Sequence, residues 1–190
     1  LNIGGISNLT LIGDLKDENL ISKDIGPGNC LIDEWMRRNK KGNYDNNGEA
    51  ASIGKTNELI LNQALEDFEN FTDKNINSFD VNDFEINFLR GLDLEDGAST
   101  ITEFTSNIIA SKLLSEISKS NLKITKIILC GGGRKNKTLI DRIKKHCGKE
   151  VKFETTDDYG FDGDFVESQA FAFLAIRSFF KLPTSFPNTT

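Results

Sequence analysis

Residues 124–133 read Ile124-Thr125-Lys126-Ile127-Ile128-Leu129-Cys130-Gly131-Gly132-Gly133, an apolar, β-branched run of strand length that three glycines bring to a halt. A helical pattern over 136–146 and a short apolar run at 151–154 follow. Strand, helix and strand in that order favour parallel neighbours joined by a right-handed crossover. The reading is therefore α/β, with Gly131, Gly132 and Gly133 at the carboxyl edge of a sheet, where ligands of such folds collect. Without Cβ atoms, that edge lets an adenine or ribose lie flat against the backbone. Asn136 would cap the next helix or touch the nucleotide. Neither Gly-x-Gly-x-x-Gly nor a P-loop is present.

Upstream, residues 1–6, 8–13 and 19–24 read as three short strands parted by turn formers at Gly13-Asp14 and Lys16-Asp17-Glu18-Asn19, which predicts an antiparallel meander. Gly4-Gly5 lies between the first two. Paired glycines there, with Ser7 and Asn8 close by, make either a plain hairpin or a turn whose N–H groups face a phosphate. Gly26-Pro27-Gly28-Asn29 then leads into an amphipathic helix over 30–36. Free N–H groups at a helix start suit an anion, and Asn29 serves either as N-cap or as ligand contact.

Residues 39–57 are rich in Asn, Gly, Asp and Lys and read as a surface loop. A helix over 58–71, a turn over 72–78 and a short helix over about 82–90 form a helical insertion at about 57–90. Apolar spacing from Ile101 to Ile117 predicts a long core helix over 99–118. The last helix, about 164–180, is apolar almost all round, which implies deep burial or packing against another domain. In its first turn, Glu167 beside Ala170-Phe171-Ala172-Phe173-Leu174-Ala175 is a candidate to face a cleft.

The chain has 190 residues, enough for one domain, with 23 basic and 29 acidic residues and a net charge of −6. Nucleic acid is therefore not an expected partner. No apolar run reaches the roughly 20 residues a membrane helix needs, so no membrane partner is expected and the default location is cytoplasmic. Cys30, Cys130 and Cys147 form neither a disulfide framework nor a zinc pattern. The single histidine, His146, reads as a surface residue near a helix end, and Arg37, Arg38, Lys40 and Lys41 as a solvated helix terminus. The chain opens without methionine inside a strand pattern, so an upstream piece is expected.

The element order resembles one ribonuclease-H-like half of the actin, Hsp70 and sugar-kinase superfamily: a mixed sheet flanked by helices, with a helical insertion. Five blocks taken in order resemble the C-terminal half of the anhydro-N-acetylmuramic acid kinase family: 1–10, 24–33, 91–105, 129–136 and 155–175. The end, 185–190, is similar too. The resemblance implies an ATP- and Mg²⁺-dependent phosphotransferase that acts on 1,6-anhydro-N-acetylmuramic acid in peptidoglycan recycling. It implies that Gly4, Gly5 and Asn8 belong to a phosphate loop, that Gly26, Gly28 and Asn29 border the nucleotide, and that Gly131, Gly132, Gly133 and Asn136 border the adenosine. Glu167 would contact the amino-sugar substrate. The catalytic aspartate and a first phosphate loop would lie before Leu1, in a missing N-terminal lobe, so this half alone is expected to be inactive. Metal ligands stay open, and a homodimer is compatible with the pattern. Ile25 departs from the family loop, which carries threonine there. Rival readings are a kinase for another sugar and a non-catalytic nucleotide-binding module.

Overall fold

The computed structural model describes residues 1–13, 20–72, 78–120, 122–149 and 151–185. The expected turn at 14–19, the middle of the turn at 72–78 and the end at 186–190 lie outside the described residues. Strands β1 (Asn2–Ile3), β2 (Ile6–Ile12) and β3 (Leu20–Pro27) form the antiparallel meander. Strands β4 (Lys126–Leu129) and β5 (Lys152–Thr155) pair in parallel, Lys126 opposite Lys152 and Leu129 opposite Thr155, with α5 (Lys137–Cys147) between them in sequence. A parallel bridge from Asn2 to Cys130 joins the two sheets. The Ile3 N–H donates to the Cys130 carbonyl at 2.9 Å and the Cys130 N–H to that of Leu1 at 3.0 Å. The strands thus follow the order β3-β2-β1-β4-β5 in one mixed arrangement.

Several strand boundaries differ from the sequence reading, β2 beginning at Ile6 and β4 covering only Lys126–Leu129. The first strand bends at Gly4-Gly5 instead of running to residue 6, and β3 continues to Pro27. Proline is tolerated there because β3 is an edge strand and Pro27 ends it.

Alternation decides which face of the sheet is covered. Ser7, Leu9 and Leu11 of β2 and Ile127 and Leu129 of β4 are buried, whereas Thr10, Ile12, Lys126 and Ile128 are not. The buried face packs on α1 (Cys30–Arg38) and α4 (Leu94–Ser120). Helix α4 starts earlier than the apolar spacing predicts, because the Asp93 carboxylate accepts the Asp96 N–H at 2.8 Å and the Trp35 indole N–H reaches the Leu94 carbonyl at 2.9 Å. It is buried on polar sides too: Arg142 of α5 donates to the Ser99 carbonyl at 2.6 Å and pairs with Glu103 at 3.1 Å. His146 joins this cluster, 2.7 Å from Glu103, so it braces α4 against α5 and is not a bare surface residue. The helical insertion is held by rings, with Phe68 6.1 Å edge-on to Phe104 of α4.

The segment 39–57 is not all loop. The Asp45 carboxylate accepts the N–H groups of Ala50 and Ala51 at 2.9 and 3.0 Å and so starts a short helix, α2 (Glu49–Ile53). The helix expected at 82–90 resolves into two 3₁₀ turns, Val81–Asp83 and Asn87–Leu89. The last helix, α6 (Val166–Phe179), has no buried residue, which removes the deep-burial reading within this chain. Among the described residues no helix is long and apolar enough to cross a membrane.

Candidate functional site

The two N-terminal glycine segments are clamped to each other. The Gly5 carbonyl accepts the N–H groups of Gly28 at 2.8 Å and Cys30 at 3.2 Å, and the Gly4 carbonyl accepts that of Asn29 at 2.8 Å. The Asn29 amide adds bonds to the Ile3 carbonyl at 3.3 Å and the Gly4 carbonyl at 3.1 Å. This approach demands glycine at 28, since a Cβ there would sit 2.3 Å from the Gly4 oxygen. Ser7 closes the joint with a 3.3 Å bond to the Pro27 carbonyl. Gly26, in contrast, has φ +144° and turns its open side to Ile108 and Phe68 in the core.

The third glycine segment meets the same clamp. A Cβ on Gly131 would strike Asn2 and Ile3, and one on Gly133 would strike the Ile3 side chain. Gly132 differs: nothing lies within 4 Å of its Cβ position, and it faces a cavity of about 370 Å³. Asn29, Asp33, Tyr44, Asp45, Lys135 and Asn136 also line this cavity. The Asn136 carboxamide oxygen accepts the Leu139 N–H at 3.0 Å, so it caps α5 while bordering the space. Burial pushes the Asp33 carboxyl up to about 6, against the pull of Arg37 one turn along. Burial likewise raises the Cys30 thiol to about 11, so it is no thiolate nucleophile at neutral pH.

Glu167 and Asn8 lie on the far side of the clamp, along a groove of about 600 Å³ over the uncovered sheet face. The Asn2 amide donates to Glu167 Oε1 at 3.3 Å, and that oxygen is 3.6 Å from the Cβ position of Gly4. Next to it, Asn2 Oδ1 and Thr156 Oγ1 are buried polar atoms without a partner. Both are turned away from the groove: Asn2 Oδ1 lies 2.3 Å from the Cβ position of Gly131 and Thr156 Oγ1 2.9 Å from that of Gly163. Behind them the largely buried Arg134 side chain holds Asp157 and Asp164, each at 2.7 Å. Asp157 is held down to about 2 by the Arg134 hydrogen bond.

The structure thus brings Gly132, Asn29 and Asn136 to one cavity and Asn8 and Glu167 to another. Gly4, Gly28, Gly131 and Gly133 form the ridge between, and Gly26 sits behind it. Sequence reasoning missed Asp33, Tyr44 and Asp45; the Asn-Gly turn after Asp45 is the one local signal that this loop is ordered.

A sequence model described as anhydro-N-acetylmuramic acid kinase matches residues 1–190. A protein of that name from Pelagibacter ubique (strain HTCC1062) is 52% identical over 190 residues, all of this chain and 51% of the relative. One from Zymomonas mobilis subsp. mobilis (strain ATCC 31821 / ZM4 / CP4) is 38% identical over 191 residues, 50% of its length. Another from Brucella canis (strain ATCC 23365 / NCTC 10854 / RM-666) is 39% identical over 191 residues, 49% of its length. The chain spans about half the length of the curated relatives it matches.

Proposed function

This chain belongs to the anhydro-N-acetylmuramic acid kinase family, and from that premise we propose that the full-length protein phosphorylates 1,6-anhydro-N-acetylmuramic acid at its 6-hydroxyl. In the same reaction water opens the anhydro ring, giving N-acetylmuramic acid 6-phosphate in cytoplasmic peptidoglycan recycling. The chain is then the C-terminal lobe of a two-lobed kinase, with a ribonuclease-H-like core and the segment 57–90 as its insertion. The strand order β3-β2-β1-β4-β5, with β2 antiparallel to both its neighbours, β1 and β3, and β1, β4 and β5 parallel, supports that core.

The observation that carries the reading is the ridge itself, a glycine clamp with a polar cavity on one side and a carboxylate-bearing groove on the other. The cavity is of ligand size. Gly132 fits a nucleoside because its Cβ position is open. Asn29 and Asn136 border the ribose, Asp33 accepts from its hydroxyls, and the Tyr44 ring, 62% exposed, offers the base a face to stack on. The Gly4-Gly5 turn, held in shape by Gly28 and with Asn8 beside it, offers the Gly5 N–H to the phosphates, the Gly4 N–H being taken up by the Ile6 carbonyl at 3.2 Å. ATP would supply the phosphoryl group. Glu167, oriented by Asn2, contacts the sugar across the ridge, and the water-activating aspartate is assigned to the other half of the protein. Mg²⁺ would accompany the phosphates. Among the described residues no group of three or more His, Cys, Asp or Glu is placed to hold it.

A coupled ADP-release assay on the full-length protein tests this. ADP release should require 1,6-anhydro-N-acetylmuramic acid. Absence of stimulation by that sugar, or equal stimulation by unrelated hexoses, would overturn the reading.

A further inference from the structure

Arg134 follows Gly133 in the 3₁₀ turn Gly132–Lys135, which borders the proposed nucleotide cavity. Its side chain is only 5% exposed and runs to the segment between β5 and α6. Nε and Nη2 donate to the two oxygens of Asp157 at 2.7 and 3.1 Å, and Nη1 donates to Asp164 at 2.7 Å. Nη1 also donates to the Gly131 carbonyl at 3.1 Å, so one group closes the glycine turn and grips the far segment. The approach is close. A Cβ on Gly163 would lie 2.4 Å from Nε and 2.5 Å from Cζ, so glycine lets the backbone lie against the guanidinium. Lys135 adds a second ion pair to Asp164. From there the Phe165 N–H donates to the Asp162 carbonyl at 3.1 Å and the Gln169 N–H to that of Phe165 at 2.9 Å, which carries the held segment directly into the helix. Glu167 sits in the first turn of α6, three residues beyond Asp164. That helix has no buried residue, so polar bonds rather than packing set its first turn in this chain.

We propose that Arg134 is a positioning residue for the reaction: it ties the glycine turn at the nucleotide cavity to the segment that aims Glu167, and so keeps the sugar-side carboxylate in register with the nucleotide. Arg134 lines neither cavity, so it acts through Glu167. A forked arginine–carboxylate pair fixes direction as well as distance, which a lysine ammonium does not. Taking a guanidinium out of water is costly unless acids answer it. The Gly131 bond alone would close the turn, yet Asp157, Asp164 and, at 3.9 Å, Asp162 all face the same cation. The charge is therefore spent on the far segment and not on the turn. Catalytic groups need supports that hold them to within about 0.5 Å, and this contact is built to supply one. The inference rests on the kinase reading of the two cavities.

The test uses the full-length protein. Arg134→Ala should lower kcat/KM for 1,6-anhydro-N-acetylmuramic acid by about tenfold in ADP release. Arg134→Lys should lower it by about fivefold, since lysine keeps the charge but not the fork. In a protein already carrying Glu167→Ala, Arg134→Ala should cost less than about twofold more, because a residue that acts through Glu167 has nothing left to position. Losses that multiply would give Arg134 a separate role and overturn the proposal. Unchanged sugar kinetics in the single variants would do the same, as would a nucleotide affinity, measured by calorimetry, that falls as far as kcat/KM. Amide hydrogen exchange on the same proteins needs no turnover. Peptides within 157–170 should exchange about fivefold faster in Arg134→Lys, while those of α5 match the parent. Equal exchange at 157–170, or faster exchange in α5 as well, would overturn the proposal. ADP release by the unsubstituted protein that does not require the sugar defeats the kinase reading instead, and exchange then still decides whether Arg134 holds the segment.

Discussion

Asp33 shows two residue-scale effects in opposition. A carboxylate in the first turn of a helix is ordinarily stabilised by the dipole, and Arg37 favours the charged form further. Burial nonetheless wins and lifts the carboxyl to about 6. Since the native state then holds the proton more tightly than the unfolded chain, its stability is fully present below pH of about 4, falls as pH rises to about 6, and is level above that. Asp33→Asn keeps the site neutral throughout. Its melting temperature should therefore match the parent near pH 4 and exceed it increasingly up to about pH 6.5, as followed by thermal unfolding at unit pH steps. A gap that is constant with pH, or that closes as pH rises, would show that the carboxyl is not destabilised by its surroundings. At this scale the sequence announced the glycines but not their reasons. Gly28 admits the Gly4 carbonyl, Gly133 admits Ile3, and Gly26 admits Ile108, while Gly132 alone opens on a cavity. A glycine marks close approach without saying what approaches.

Among the elements, α5 depends on Asn136, whose side chain is 6% exposed and satisfies the Leu139 N–H. Removing the cap leaves a buried donor unpaired, so Asn136→Ala should lower stability by about 1–2 kcal/mol, while Asn136→Asp or Asn136→Ser should recover most of it. Urea midpoints at constant slope measure this, and an unchanged midpoint for Asn136→Ala would dismiss the cap. The helices legible in the sequence were those with a sustained apolar pattern: α1, α3 (Glu58–Thr72), α4, α5 and α6. Helix α2 was hidden because its start depends on a carboxylate five and six residues away in sequence from the N–H groups it accepts, inside a stretch whose composition reads as loop. The converse error fell at 81–89. There Phe84, Ile86 and Leu89 are buried, but the backbone forms two separate 3₁₀ turns, with Phe84 just after the first and Phe88 in the second reaching other rings. Apolar spacing records which residues are buried; it does not record whether one helix or two turns bury them.

In the whole molecule, the ridge of clamped glycines divides a nucleotide-like cavity from the Glu167 groove, and that division makes the two sides separable by mutation. The sequence suggested both ligand contacts but not their separation, because residues 2, 131 and 167 meet only through the parallel bridge of β1 to β4. It also marked α6 as needing a partner, without saying which, since an apolar helix looks alike whether its cover lies in the same chain or outside it. Glu167→Ala in the full-length protein should lower kcat/KM for the anhydro sugar at least tenfold, or about 1.4 kcal/mol of lost transition-state stabilisation, because the carboxylate aimed by Asn2 is gone. Nucleotide affinity should stay within twofold, since Glu167 does not border the cavity lined by Gly132. Steady-state kinetics varied in sugar, beside nucleotide titration by calorimetry, distinguish the outcomes. Unchanged sugar kinetics would remove Glu167 from the site. A parallel loss of nucleotide affinity would mean that Glu167 supports the ridge as a whole, since through Asn2 and Gly4 it reaches the backbone on which both cavities are built.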